Sequence, residues 1–227
     1  MVGATLLAQQ ALAAERGFGV TSFLRVRVEG PVTVEITTGG SPAARAVGDR
    51  AAIDRLRVEN SGDQLLIGID RTNWTGDTSH DGNARAVLYV AAPRLEALSV
   101  IGAGNVTVDR TTGASFGLIV TGAGRAALDR IAADQLTVAI NGTGSAKLGG
   151  QVKQARIRSQ GEGSIEAAAL SADDAEVSLI GAGEIRLSAT RSARNILEGS
   201  GRIIIDGTPA CTGSAEGSGE VICGRQP

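Results

Sequence analysis

From residue 22 onward, apolar and polar side chains alternate along most of the chain. Phe23-Leu24-Arg25-Val26-Arg27-Val28-Glu29-Gly30-Pro31-Val32-Thr33-Val34-Glu35-Ile36 keeps a period of two and is broken only by a Gly-Pro turn. Leu56-Arg57-Val58, Gln64 to Ile69 and Ala86 to Val90 continue the pattern. Successive side chains of a strand point to opposite faces, so this alternation predicts strands that bury one face.

Beyond residue 91 the alternation acquires a second, longer period. Gly-x-Gly recurs at Gly102/Gly104, Gly122/Gly124, Gly142/Gly144, Gly161/Gly163, Gly181/Gly183, Gly199/Gly201 and Gly217/Gly219, at intervals of 20, 20, 19, 20, 18 and 18 residues. Apolar residues fall two and four positions after each second glycine, as in Val106 and Val108, Ala126 and Leu128, Ile185 and Leu187. They fall equally before each first glycine, as in Leu98 and Val100 or Val138 and Ile140, with Ser159 and Asn195 as polar exceptions. A unit of about 20 residues cannot hold a full helix beside two strands. Strand, glycine bend, strand and turn at constant length predict an all-β fold, a single-stranded parallel β-helix (β-solenoid) of about 20 residues per coil. The glycines then stack in two columns at one corner. Both columns are expected to use the missing Cβ and the freedom to take a positive φ in a tight bend.

Composition agrees with this reading. Of 227 residues, 32 are glycine, about twice the usual share, and 14 of these form the seven triplets. Twenty-two Lys and Arg against 24 Asp and Glu give a net charge of −2, which argues against a nucleic-acid partner. Residues 15–227 are expected to form one solenoid domain. Residues 22–90 supply amino-terminal coils with a polar insertion at 70–85, and 91–227 carry the Gly-x-Gly repeats. Residues 1–14 end in Ala11-Leu12-Ala13-Ala14 before Glu15, which fits a truncated signal peptide cut after Ala13. An Ala-rich amino-terminal helix also fits, because no basic residue precedes Arg16. No other apolar run approaches the roughly 20 residues that span a bilayer. Cys211 and Cys223 flank the last triplet; a disulfide is the favoured reading, two buried thiols the other.

On the opening Phe23 to Ile36 segment, on Leu65-Leu66-Ile67 and on the ladder of Gly-x-Gly coils, the chain resembles the bacterial family called putative auto-transporter adhesin, head GIN domain. The resemblance covers roughly residues 22 to 206. It implies an exported or envelope-attached β-helix, located in the periplasm, at the cell surface or secreted, and it carries no functional residues with it.

Catalytic chemistry has little to build on. His80 is the only histidine and sits in a polar loop, so a histidine cluster for zinc is excluded. No G-x-S-x-G elbow or P-loop lysine motif occurs. Asp109 and Asp129 both lie five residues after a second glycine and so stack on adjacent coils, where paired carboxylates serve calcium or a glycosidase. The column stops at Gly149 and Ala168, which favours turn aspartates. Trp74 and Tyr89, in or beside the insertion, are candidates for stacking on sugar rings, with a cap over the amino-terminal core as the competing role for Trp74. The expectation is a non-enzymatic binding domain for a surface glycan or envelope protein, with Trp74, Tyr89, Asp109 and Asp129 as candidate binding residues. It needs neither cofactor nor metal, and its open solenoid edges invite self-association. A polysaccharide lyase or hydrolase around Asp109, Asp129, Arg110 and Arg130, or a purely structural envelope protein, is the alternative.

Overall fold

The computed structural model describes residues 14–70 and 85–225. It is 78% strand and 3% helix, a β-solenoid with roughly 20 residues per turn. Five long strands carry the regular repeat, with short strands before and after them. In chain order the elements are β1 (Ala14–Phe18), β2 (Arg25–Glu29), β3 (Thr33–Thr38), β4 (Ala43–Gly48), α1 (Arg50–Asp54), β5 (Leu56–Ser61), β6 (Gln64–Ile69), β7 (Ala86–Ala92) and β8 (Ala97–Gly102). There follow β9 (Asn105–Gly122), β10 (Arg125–Gly142), β11 (Ser145–Gly161), β12 (Ser164–Gly181), β13 (Glu184–Gly199), β14 (Arg202–Gly207), β15 (Ala210–Gly217) and β16 (Glu220–Arg225).

Each long strand starts just after one glycine corner and runs to the next. All neighbours from β8 to β16 pair in parallel. Gly102, Gly122, Gly142, Gly161, Gly181, Gly199 and Gly217 register with one another in an unbroken column. Inward side chains stack in the same way. Val100, Val120, Ile140, Ser159, Leu179 and Leu197 form one buried column before the corner, and Val108, Leu128, Leu148, Ala167, Leu187 and Ile205 form one after it. Burying a Val, Leu or Ile side chain contributes about 1.5–3 kcal/mol, so a narrow core repeated coil after coil holds the molecule together.

The two glycine columns need glycine for different reasons, which corrects the expectation that both use a positive φ. The first column does use it. Gly142, its third member, has a φ of +120°, a left-handed backbone that side chains disfavour. A Cβ there would also lie 2.7 Å from the Gly122 carbonyl oxygen. The second column does not. Gly104, Gly124, Gly144, Gly163, Gly183, Gly201 and Gly219 all lack a positive φ, and they sit just outside the strands rather than within them. What excludes a side chain there is the coil beneath. A Cβ on Gly104 would lie 3.0 Å from the Gly30 carbonyl oxygen, and one on Gly144 would lie 2.7 Å from that of Gly124. Gly163, Gly183, Gly201 and Gly219 each press in the same way on the carbonyl of the preceding second glycine, at 2.5 Å for both Gly201 and Gly219. The close approach lets the ladder continue round the bend. Thr143 N–H donates to Gly122 O at 3.0 Å, and Ser145 N–H donates to Gly124 O at 3.0 Å.

A second corner lies opposite, and here the coils differ in length. Register shifts fall between Leu128 and Ile131, between Lys147 and Gly149, and on either side of Ser171 and Ala172. The 18- and 19-residue intervals are therefore absorbed at this second corner, while the glycine corner keeps its register.

The amino-terminal region departs from simple sequential stacking. The described strands before β8 stack as coils, but their spatial order is not their chain order. β2 lies between β6 and β8, and β3 lies between β7 and β9. The first coil is thus enclosed by a later one, and Gly30 (φ +84°) takes the corner position ahead of Gly102. Three strand pairs run antiparallel: β5 on β6, β4 on β7, and β1 on β4. With α1, whose Ile53 is buried, they close that end of the core. At the other end β15 continues the face before the corner and β16 the face after it, with a Cys211–Cys223 disulfide between them.

Candidate binding face

The outward side chains of the stacked coils form two sheet faces, one on either side of the glycine corner. On the face before the corner, register brings together Ala97, Gly117 and Thr137, then Ser99, Ile119 and Ala139, then Ile101, Thr121 and Asn141. None of these nine residues is charged. Ile119 at their centre is 47% exposed, and Ile180 (43%) and Ile196 (39%) are exposed further along the same face. Charged rows border the patch. Arg25, Arg27 and Glu29 register with its first strand, and Arg156 and Arg158 with its last. Three strands about 4.8 Å apart and five residues long give roughly 200–250 Å², the footprint of a short oligosaccharide or a single loop. Sequence reading misses this patch because outward positions carry no periodic mark. It becomes visible once coils of equal length are laid in register.

The border is fixed by ion pairs. Arg27 Nε meets Glu29 Oε1 at 2.6 Å, and Arg156 Nε meets Glu176 Oε2 at 3.3 Å. Beyond the second corner, Asp174 accepts from Arg191 Nε at 2.9 Å and from Ser192 Oγ at 2.7 Å. The Arg191 guanidinium, with the Ser192 hydroxyl, holds the Asp174 carboxyl down to about 2. Hydrogen bonding to Asp134 similarly raises Lys153.

Among the described residues singled out in the sequence, Asp109 and Asp129 stack on adjacent coils and Tyr89 stands apart from them. Tyr89 stands on the other face, 38% exposed, with the Arg45 guanidinium 5.5 Å from its ring centre and Arg45 in turn 3.3 Å from Glu15. Asp109 lies at the second corner, where its Oδ1 accepts N–H bonds from Thr38 at 3.0 Å and from Arg110 at 2.6 Å. Thr38 Oγ1 donates to Arg110 O at 2.9 Å, which ties the first enclosed coil to the next. Asp129 follows Asp109 by one coil. A Cβ at the next position, Gly149, would sit 2.6 Å from the Asp129 carbonyl, so no side chain extends the column. Asp109 Oδ1 is thus taken up by turn backbone, while its Oδ2 lies 3.9 Å from Arg110 Nε. Trp74 and His80 lie outside the described residues.

Concave features are shallow. A depression of about 280 Å³ is lined by Arg194, Asn195, Ile196, Thr212, Gly213 and Ser214. A second, of about 250 Å³, lies between Thr38, Arg94, Leu95, Arg110 and Thr112. Among the described residues, no group of three or more His, Cys, Asp or Glu is placed to hold a metal ion, and no helix is long and apolar enough to cross a membrane. Among the described residues the geometry offers flat contact surface with these two depressions.

Comparisons with known proteins agree on the architecture. The first is with a structure described as a putative adhesin from Bacteroides fragilis, 24% identical, covering 93% of this chain and 97% of that one, with a TM-score of 0.84. A putative adhesin from Parabacteroides merdae is 15% identical, covers 93% and 95%, and has a TM-score of 0.71. A protein from Parabacteroides distasonis described as putative lipid binding is 19% identical, covers 93% and 96%, and has a TM-score of 0.70. At these identities the likeness is one of fold. No curated protein matches the sequence. The family model described as putative auto-transporter adhesin, head GIN domain matches residues 22–209. Over four-fifths of its length, then, the chain carries that family's pattern, and it belongs to the putative auto-transporter adhesin, head GIN domain family.

Proposed function

We propose that this chain is a non-enzymatic adhesion domain, exported or held in the cell envelope, that binds a surface glycan or envelope protein through the flat face before its glycine corner. Its family and the adhesin-named neighbours support a binding role. The observation that carries the site is the uncharged patch around exposed Ile119, bordered by Arg25, Arg27, Arg156 and Arg158. A small apolar centre within a charged rim is how compact recognition surfaces are built. Tyr89, with Arg45 against its ring, offers a second contact on the opposite side of the corner, and Asp129 a polar one at the second corner.

Arrays of bacterial and host glycans and of envelope proteins, probed with the full chain, provide the test. Ile119→Glu places a charge on the patch without touching the core, and it is expected to weaken binding at least tenfold while circular dichroism stays unchanged. Absence of any bound array member, or binding indifferent to Ile119→Glu, contradicts this assignment.

A further inference from the structure

The solenoid finishes its two ends differently. At the amino-terminal end the last strands run antiparallel, α1 buries Ile53, and the outermost strands carry charge: Glu15 and Arg16 on β1, Arg57 and Glu59 on β5. Those are the usual protections of a sheet edge. At the carboxy-terminal end, β15 has only β13 beside it and β16 only β14, among the described residues. β15 reads ACTGSAEG, without Lys, Arg or Pro. It pairs with β13 over Ala210 to Gly217 without a bulge, and all eight of its residues are exposed. The Cys211–Cys223 bridge ties the two edge strands together and keeps them from fraying. Val221 and Cys223, inward residues of β16, are only half covered.

We propose that this carboxy-terminal edge is an interface for a second copy of the chain, joined end to end about a two-fold axis, with β15 paired antiparallel to its counterpart. Two features favour a second copy over a foreign strand. The first is register. Cys211, Gly213 and Ala215 face inward, because they register with buried Ala193, Asn195 and Leu197. A two-fold antiparallel pair keeps inward residues opposite inward residues only when one residue faces its own counterpart across the axis. Centring on Gly213 sets Cys211 opposite Ala215 of the partner subunit and Thr212 opposite Ser214 of the partner subunit. The second is charge. The same register sets Glu216 opposite Ala210 of the partner subunit, so its carboxylate meets no like charge. Eight residues of β15 and six of β16 are fewer than the 20–30 a side of a stable interface, so association should be weak and concentration-dependent, about micromolar or weaker. The pairing is independent of what the outer face binds, and it would present two such faces at once.

Sedimentation equilibrium of the full chain from about 1 to 500 µM reads the association directly. Thr212 and Ser214 point outward and are exposed, so charges there leave the monomer core intact. Thr212→Lys/Ser214→Lys and Thr212→Glu/Ser214→Glu should each dimerise at least tenfold more weakly than the natural chain. An equimolar mixture of the two should recover dimer, with circular dichroism and the disulfide intact throughout. A natural chain that is monomeric over the whole range overturns the proposal. So do charged variants that dimerise as well as it does, or a mixture that fails to recover.

Discussion

Gly142 shows most clearly what a single residue contributes to this fold. Its left-handed backbone and the 2.7 Å approach to the Gly122 carbonyl act together, so that even a methyl group is excluded. Lys147, five residues on, projects outward from the same coil and makes no core contact. Gly142→Ala should therefore cost about 2–4 kcal/mol of unfolding free energy, and Lys147→Ala should stay within about 0.5 kcal/mol. Chemical denaturation of the two variants side by side measures the difference. Ser159 illustrates the opposite case. It occupies an inward position between Ile140 and Leu179, and its buried hydroxyl has no hydrogen-bond partner among the described residues. Apolar neighbours cannot satisfy that hydroxyl, so it costs stability that the rest of the column offsets.

Between elements, the side chains of the outer surface clip neighbouring coils together. Asp174 on β12 receives Arg191 and Ser192 from β13. Its carboxyl is held at about 2, below the value of 3.8 it would have when unpaired. A depressed carboxylate stabilises the folded state fully above its unfolded value and loses that contribution as pH falls through its folded one. The stability advantage of the natural chain over Asp174→Asn should thus be present at neutral pH and vanish between about pH 4 and pH 2, with salt reducing it throughout. Thermal melts of both proteins across that range, at two ionic strengths, test the sign and the window. The same scale decides what can be read from sequence. The glycine corner is legible because backbone geometry in one column, and close packing in the other, dictate the residue type at every coil. Which of the two reasons applies to Gly144 or Gly183 is not legible, since both leave the same letter. The second corner leaves no repeating mark, because bulges absorb length changes there and only some coils require glycine, as at Gly149, Gly150 and Gly207. Antiparallel β4 and β5 look like ordinary coils in sequence, since a period of two is the same for either strand direction. The patch around Ile119 is hidden for a related reason: outward positions tolerate most side chains, so only the register of whole coils assembles them.

At the level of the molecule, the chain is a stack in which each coil touches chiefly its neighbours. Such arrays gain stability from repeated units and the interfaces between them, so one complete unit should be dispensable. Gly142 and Gly161 occupy the same corner position on adjacent coils. Deleting residues 143–161 joins Gly142 to Glu162 with every inward column still in register, setting Val138 beside Val177 and Ile140 beside Leu179. Deleting residues 143–152 removes half a coil and throws the following columns out of register. Thermal unfolding of these two deletions, followed by circular dichroism, tests the stacked-coil architecture most directly. The whole-coil deletion should retain a β spectrum and one cooperative transition, and the half-coil deletion should lose both. Equal tolerance of the two, or equal collapse, would contradict it.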